Sequence, residues 1–306
     1  MLSRIVNLAY KPSSALSRLS FMPTIRNFDT LVSTSWLAEN KNKVVILDGS
    51  WHMPATQRNP LEEFRQKHIE NARFFGIDDI CDKATKLPHM LPPAMQFDQQ
   101  VGDLGISASD HIVIYDTSGI GSACRVYWTF RAFGHSNVSV LDGGLPKWEA
   151  EGRLTVSGDT VVEPKVYNSQ INPTIVANFK DIRTATTVHN CQVIDARPAG
   201  RYYGSDPEPR AGLSSGHIPE SRSLPFPMVM DPVTKTFLEP EKLRELCEHR
   251  GISLDRPIIC TCGSGITASI LYLAFERAGV TDLSVYDGSW TEYASIPGVL
   301  ISKVNI

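Results

Sequence analysis

The chain has 306 residues, a formal net charge of −3, 42% hydrophobic and 21% charged residues, which is an ordinary balance for a globular protein. No stretch approaches the ~20 consecutive apolar residues a membrane-spanning helix needs, and the slight acidity speaks against direct nucleic-acid binding. The length exceeds one compact core and suits two domains.

Residues 1–28 stand apart: they hold Arg4, Lys11, Arg18 and Arg26 and no acid, which leaves the rest of the chain at −7. Acid-free, Arg- and Ser-bearing leaders have the composition of mitochondrial presequences. Pro12 interrupts a continuous helix, and Met22 offers an internal start that would leave a cytosolic product. The plainer alternative is a basic tail. Mitochondrial and cytoplasmic locations are both expected on this reading. Six cysteines occur, at 81, 124, 191, 247, 260 and 262, with no CxxC and no zinc-type Cys/His spacing. Free thiols in a reducing compartment follow, without a metal. Most of them read as small buried hydrophobes.

The remainder is a diverged tandem repeat. Val44-Val45-Ile46-Leu47-Asp48 is echoed by Gln192-Val193-Ile194-Asp195, and His68-Ile69-Glu70-Asn71-Ala72 by His217-Ile218-Pro219-Glu220-Ser221. Ile112–Tyr115 matches Pro257–Cys260; helical segments ending at Gly134 and Gly279 follow at an offset of 145, as do Val138–Gly144 and Leu283–Ser289. Short Val/Ile-rich runs without polar alternation suit strands buried on both faces. The expected class is therefore α/β, with one parallel sheet flanked by helices in each copy. The boundaries read as a leader at 1–28, a first domain at 29–155, a linker at 156–172 and a second domain at 173–306.

In the second copy Pro257–Thr261 reads as a strand and Ala268–Ala278 as a helix, joined by Cys262-Gly263-Ser264-Gly265-Ile266-Thr267. A cysteine at the carboxyl end of a parallel strand, before a glycine turn that opens a helix, is a ready anion site. Loop amides and the helix N-terminus both favour thiolate, the nucleophilic form. Gly263 and Gly265 let the backbone bend around the sulfur. At the offset of 145, Thr117 stands opposite Cys262 with Asp116 beside it, so only the second copy keeps a thiol. A turn that merely joins strand to helix is the plain alternative.

Together the repeat, the single loop cysteine and the run Cys262–Thr267 resemble the two-domain rhodanese superfamily, specifically its 3-mercaptopyruvate sulfurtransferase branch. Further shared motifs are Phe130–His135, Leu141–Gly144, Glu208-Pro209-Arg210, Gly216–Pro219 and Tyr286–Trp290. The chain is also similar to fungal members that feed tRNA thiouridine synthesis. The resemblance implies two rhodanese-like domains and transfer of sulfane sulfur from 3-mercaptopyruvate through a Cys262 persulfide, without another cofactor. The acceptor would be a thiol, such as thioredoxin or a sulfur-carrier-activating protein. It implies Ser264, His89 and Asp78 as a proton relay that joins the two copies. Arg201 and Arg210 become the carboxylate-binding arginines, and Gly263, Gly265, Ile266 and Thr267 the rest of the substrate loop. Arg125 is expected along the same cleft. Relatives carry Asp-Ile-Asp where this chain has Gly76-Ile77-Asp78.

Three other readings differ in a visible residue. A cysteine phosphatase needs an arginine six positions after the cysteine, where Ala268 stands. A non-catalytic rhodanese-like binding module would not need Cys262. A thiosulfate-preferring enzyme would want bases in place of the neutral Gly263 and Ser264.

Overall fold

In the computed structural model, which describes residues 29–303, the apolar runs become strands and the intervening stretches helices. The leader and the targeting role expected of it lie outside these residues. The first domain runs β1 (Leu31–Val32), α1 (Thr34–Asn40), β2 (Val45–Asp48), α2 (Pro60–Gln66), β3 (Ala72–Phe74), α3 (Ala94–Asp103), β4 (Ile112–Tyr115), α4 (Ala123–Ala132), β5 (Val138–Leu141) and α5 (Gly144–Ala150). The second runs β6 (Val176–Ala177), α6 (Phe179–Val188), β7 (Gln192–Asp195), α7 (Ala199–Tyr203), β8 (Arg222–Ser223), α8 (Pro240–His249), β9 (Ile258–Thr261), α9 (Ile266–Ala278), β10 (Leu283–Tyr286) and α10 (Ser289–Tyr293).

Both sheets are parallel and share one topology: β1-β5-β4-β2-β3 and β6-β10-β9-β7-β8. Every residue of β2, β4, β5, β7 and β9 is buried, because helices cover both faces of each sheet. α9 is apolar around nearly its whole circumference, which suits a helix enclosed on all sides. It packs between its own strands and α4 of the other domain. A continuous core therefore crosses the domain boundary, from Val45 to Val285. Removing any one of its large side chains from water contributes about 1.5–3 kcal/mol. Polar contacts fasten the same boundary. Tyr127 Oη donates to Glu276 (2.6 Å), Arg131 pairs with Glu276 (3.1 Å), and the Phe237 amide donates to Asp142 (3.0 Å).

The sheet register corrects two correspondences: Ile112–Tyr115 aligns with Ile258–Thr261, and the loop that follows shifts with it. Asp48 pairs with Tyr115 in the first domain and Asp195 pairs with Thr261 in the second. The residue after each partner is Asp116 and Cys262, so at this point the offset is 146 and the thiol's counterpart is Asp116, not Thr117. The runs Asp116-Thr117-Ser118-Gly119-Ile120 and Cys262-Gly263-Ser264-Gly265-Ile266 then align directly.

The stretch between the domains turns back on the first. The Val156 amide donates to the carbonyl of His68 (2.9 Å), that of Lys165 to Gly102 (2.9 Å), and that of Gln170 to Phe133 (3.0 Å). Tyr167 is buried and stacks on His135.

Candidate active site

Cys262 follows β9 directly and is buried. Gly265 caps α9 with φ +83, so the helix begins two residues earlier than its apolar pattern predicts. This cap is a position where the chain requires a glycine. The loop's outward carbonyls are taken up by α10: the Trp290 amide donates to Cys262 O (2.9 Å), the Thr291 amide to Gly263 O (3.0 Å) and Thr291 Oγ1 to Gly263 O (2.6 Å). The Cys262 amide donates to Ser289 Oγ (3.2 Å). By contrast, the amides of Gly263, Ser264, Gly265, Ile266 and Thr267 find no acceptor among the described residues. A turn with its carbonyls bonded outward and its amides unused is an anion cradle.

The corresponding loop of the first domain holds a carboxylate of its own. Asp116 Oδ1 accepts from the Ser118 amide (2.8 Å) and Oδ2 from the Ala123 amide (2.9 Å). Burial raises the Asp116 carboxyl, while these amides oppose the shift. Ser264 corresponds to Ser118, and its amide is one of those left without an acceptor.

Two arginines converge on this loop from the segment after β7. A Cβ placed on Gly263 would lie 3.1 Å from Arg201 Nη2 and 3.6 Å from Arg210 Nη1. Arg201 is fixed by Glu208, which accepts from its Nε (3.1 Å) and its Nη2. Glu208 in turn accepts from Arg197 Nη1 (2.8 Å), and Arg197 is itself buried on Asp195 and over the Trp290 ring (4.2 Å). Arg210 makes no hydrogen bond or ion pair with a described residue. Burial lowers its pKa, while the charge of Cys262 is the leading influence that raises it. The loop's own residues are neutral, but the site is cationic because neighbouring elements supply the charge. The sequence named Arg201 and Arg210 through the family resemblance but gave no role to Glu208 or Arg197, which hold Arg201 in place. A buried Asp-x-Arg at a strand end, with an acid nearby, was the available signal.

His89 and Asp78 come together from the first domain. His89 Nδ1 lies 2.7 Å from Asp78 Oδ1, and Trp51 Nε1 donates to Asp78 Oδ2 (2.8 Å). Trp51 also stands edge-on to the imidazole at 4.8 Å. His89 is buried at φ +63. Burial lowers its pKa, Asp78 partly opposes this, and the charges of Arg125 and Arg210 lower it further. The Asp78 carboxyl is held below its ordinary value chiefly by the contact with His89. The other link of the expected relay is not made: Ser264 donates to no described residue, and His89 Nε2 is buried without a partner.

Arg125 does not line the cleft. It is buried at the start of α4, behind the loop, paired with Asp287 (2.7 Å). Ile266 is buried and Thr267 half-buried, at the first turn of α9. Burial raises the thiols of Cys81, Cys124, Cys191, Cys247 and Cys260, so these five stay protonated at neutral pH. Among the described residues no group of three or more His, Cys, Asp or Glu is arranged to hold a metal ion, and no helix is long and apolar enough to cross a membrane.

Comparison with known proteins gives the family. The model of the rhodanese-like domain matches twice, over residues 33–151 and 177–296. The chain is 41% identical over 304 residues to an Arabidopsis thaliana protein named thiosulfate/3-mercaptopyruvate sulfurtransferase 1, mitochondrial; the match covers 92% of this chain and 80% of that one. It is 41% identical over 276 residues to 3-mercaptopyruvate sulfurtransferase of Mus musculus, covering 87% and 92%. The crystal structure of Tum1 from Saccharomyces cerevisiae superposes with a TM-score of 0.82 at 28% identity, over 89% of this chain and 97% of that one. With two matched domains, one shared topology and a single loop thiol, the chain belongs to the family of tandem rhodanese-like proteins.

Proposed function

We propose that the protein is a sulfurtransferase that takes sulfur from 3-mercaptopyruvate and carries it as a persulfide on Cys262. The observation that carries this reading is the cysteine set at the mouth of a loop of unpaired amides, with Arg201 and Arg210 converging on Gly263. In the proposed step the Cys262 thiolate attacks the substrate sulfur, and the substrate's C–S bond breaks. Its electron pair passes to an enolate that is protonated to pyruvate, and the new Cys–S–S⁻ terminus rests among the loop amides. The arginines bind the substrate carboxylate and ketone. His89, oriented by Asp78, moves the proton from the substrate thiol to the enolate, with Ser264 completing the relay once substrate is bound.

Thiosulfate is a second donor on this reading, favoured by the two cations beside the loop and by the names of the relatives. The acceptor is a small or protein thiol, and a route toward tRNA thiolation follows from the resemblance to fungal members. A mitochondrial location is supported by the Arabidopsis relative's name and by the composition of the leader; a cytosolic form would start at Met22. The test is mass spectrometry of the donor-treated protein: one added sulfur should be found on the peptide containing Cys262 and be missing from Cys262→Ser. A label on Cys260 or Cys124 would overturn the assignment, and faster turnover of thiosulfate than of mercaptopyruvate would reverse the donor order.

A further inference from the structure

Arg125 and Asp287 come from different domains and meet in the interior, 2% and 3% exposed. Arg125 Nη2 lies 2.7 Å from Asp287 Oδ1 and also donates to the carbonyl of His89. Asp287 Oδ2 accepts from the Leu91 amide (2.9 Å). The pair thus grips the chain on both sides of Met90, and His89 itself sits at φ +63. Side chains other than glycine seldom hold that conformation unless their surroundings impose it.

The same guanidinium supports the sulfur loop. A Cβ on Gly265 would fall 2.4 Å from Arg125 Nη1 and 3.2 Å from the Asp287 carbonyl. Nη1 is buried without an acceptor, and the guanidinium lies 4.6 Å above the Trp128 ring. One rigid group therefore touches the backbone that carries His89 and the loop that carries Cys262. Tyr127, Arg131 and Asp142 already fasten the domains elsewhere, so this pair is not needed merely to join them.

We propose that Arg125 and Asp287 are positioning residues, which fix the His89 imidazole relative to Cys262 across the domain boundary without touching substrate. This rests on the role given to His89 above. The test measures kcat and KM for mercaptopyruvate in Arg125→Met, Arg125→Lys and Asp287→Asn, each with and without His89→Ala. With His89 present, Arg125→Met and Asp287→Asn should lower kcat on the order of tenfold or more with little change in KM, and Arg125→Lys should recover part of the loss. In the His89→Ala background the same changes should cost less than about twofold, because coupled residues are not additive. Equal losses in both backgrounds would overturn the proposal while leaving the role of His89 intact. A wild-type rate in His89→Ala would remove both. The near-isosteric Asp287→Asn carries the comparison if Arg125→Met does not fold.

Discussion

Replacing Arg210 with alanine separates binding from architecture. Its guanidinium is half-buried beside Gly263 and makes no hydrogen bond or ion pair with a described residue, whereas Arg201 has already committed Nε and Nη2 to Glu208. All the donors of Arg210 are therefore free for a substrate carboxylate. A hydrogen bond to a charged group contributes about 1.5–3 kcal/mol. At about 1.36 kcal/mol per decade, that is roughly a ten- to hundredfold loss of kcat/KM. Steady-state kinetics with mercaptopyruvate should show this loss, and Arg210→Lys should restore only part of it. Thermal unfolding should change little, since no hydrogen bond or ion pair with a described residue is removed. Arg201→Ala should lower both activity and Tm, because it takes a partner from the buried Glu208 carboxylate. The reasoning fails if Arg210→Ala keeps kcat/KM within about twofold of wild type, or if its Tm falls as far as that of Arg201→Ala.

Gly265→Ala forces a side chain into left-handed backbone at about 1–2 kcal/mol and drives it into Arg125 Nη1. It should reduce both the urea midpoint and sulfur transfer more than Gly212→Ala, where φ is +82 but nothing lies within 4 Å; equal effects would refute the clash. His89 has its folded pKa lowered from 6.5, so the folded state binds its proton less readily than the unfolded chain. Its contribution to stability is complete above the unfolded value and is lost as pH falls through the folded one. Asp78→Asn removes an influence that raises the His89 pKa, so the acid limb of the kcat/KM profile should move to lower pH; movement the other way would sink the assignment. Asp116→Ala strips an acceptor from the amide of Ser118 and from the buried amide of Ala123. It should destabilise the fold by about 1–3 kcal/mol while the Cys262 persulfide still forms, and loss of the persulfide would show that the first loop takes part in chemistry.

Much of this was legible because it is local or periodic. The doubly buried strands show as uninterrupted Val/Ile runs, and the sulfur loop as a cysteine between a strand and two glycines. What was not legible depends on how separate segments meet. The fixed offset of 145 holds at Asp142 and Asp287 but slips to 146 at Asp116 and Cys262, because five residues (133–137) join α4 to β5 and only four (279–282) join α9 to β10. Nothing in the sequence near Arg125 reveals that its acid lies in the other domain at Asp287. The cations of the site were reached only through the family resemblance, since nothing in their local sequence points to the loop. They are Arg201 and Arg210, some fifty to sixty residues before the loop they face.

The carboxylate of Asp116 is a tethered ligand. Joined by its own backbone to the loop that holds it, it is present at an effective concentration that no free anion in solution can match. The first loop is therefore permanently saturated, and the duplicated chain counts as a single site in any titration. A donor or an inert anion should bind with a stoichiometry of one per chain, although two corresponding loops are present.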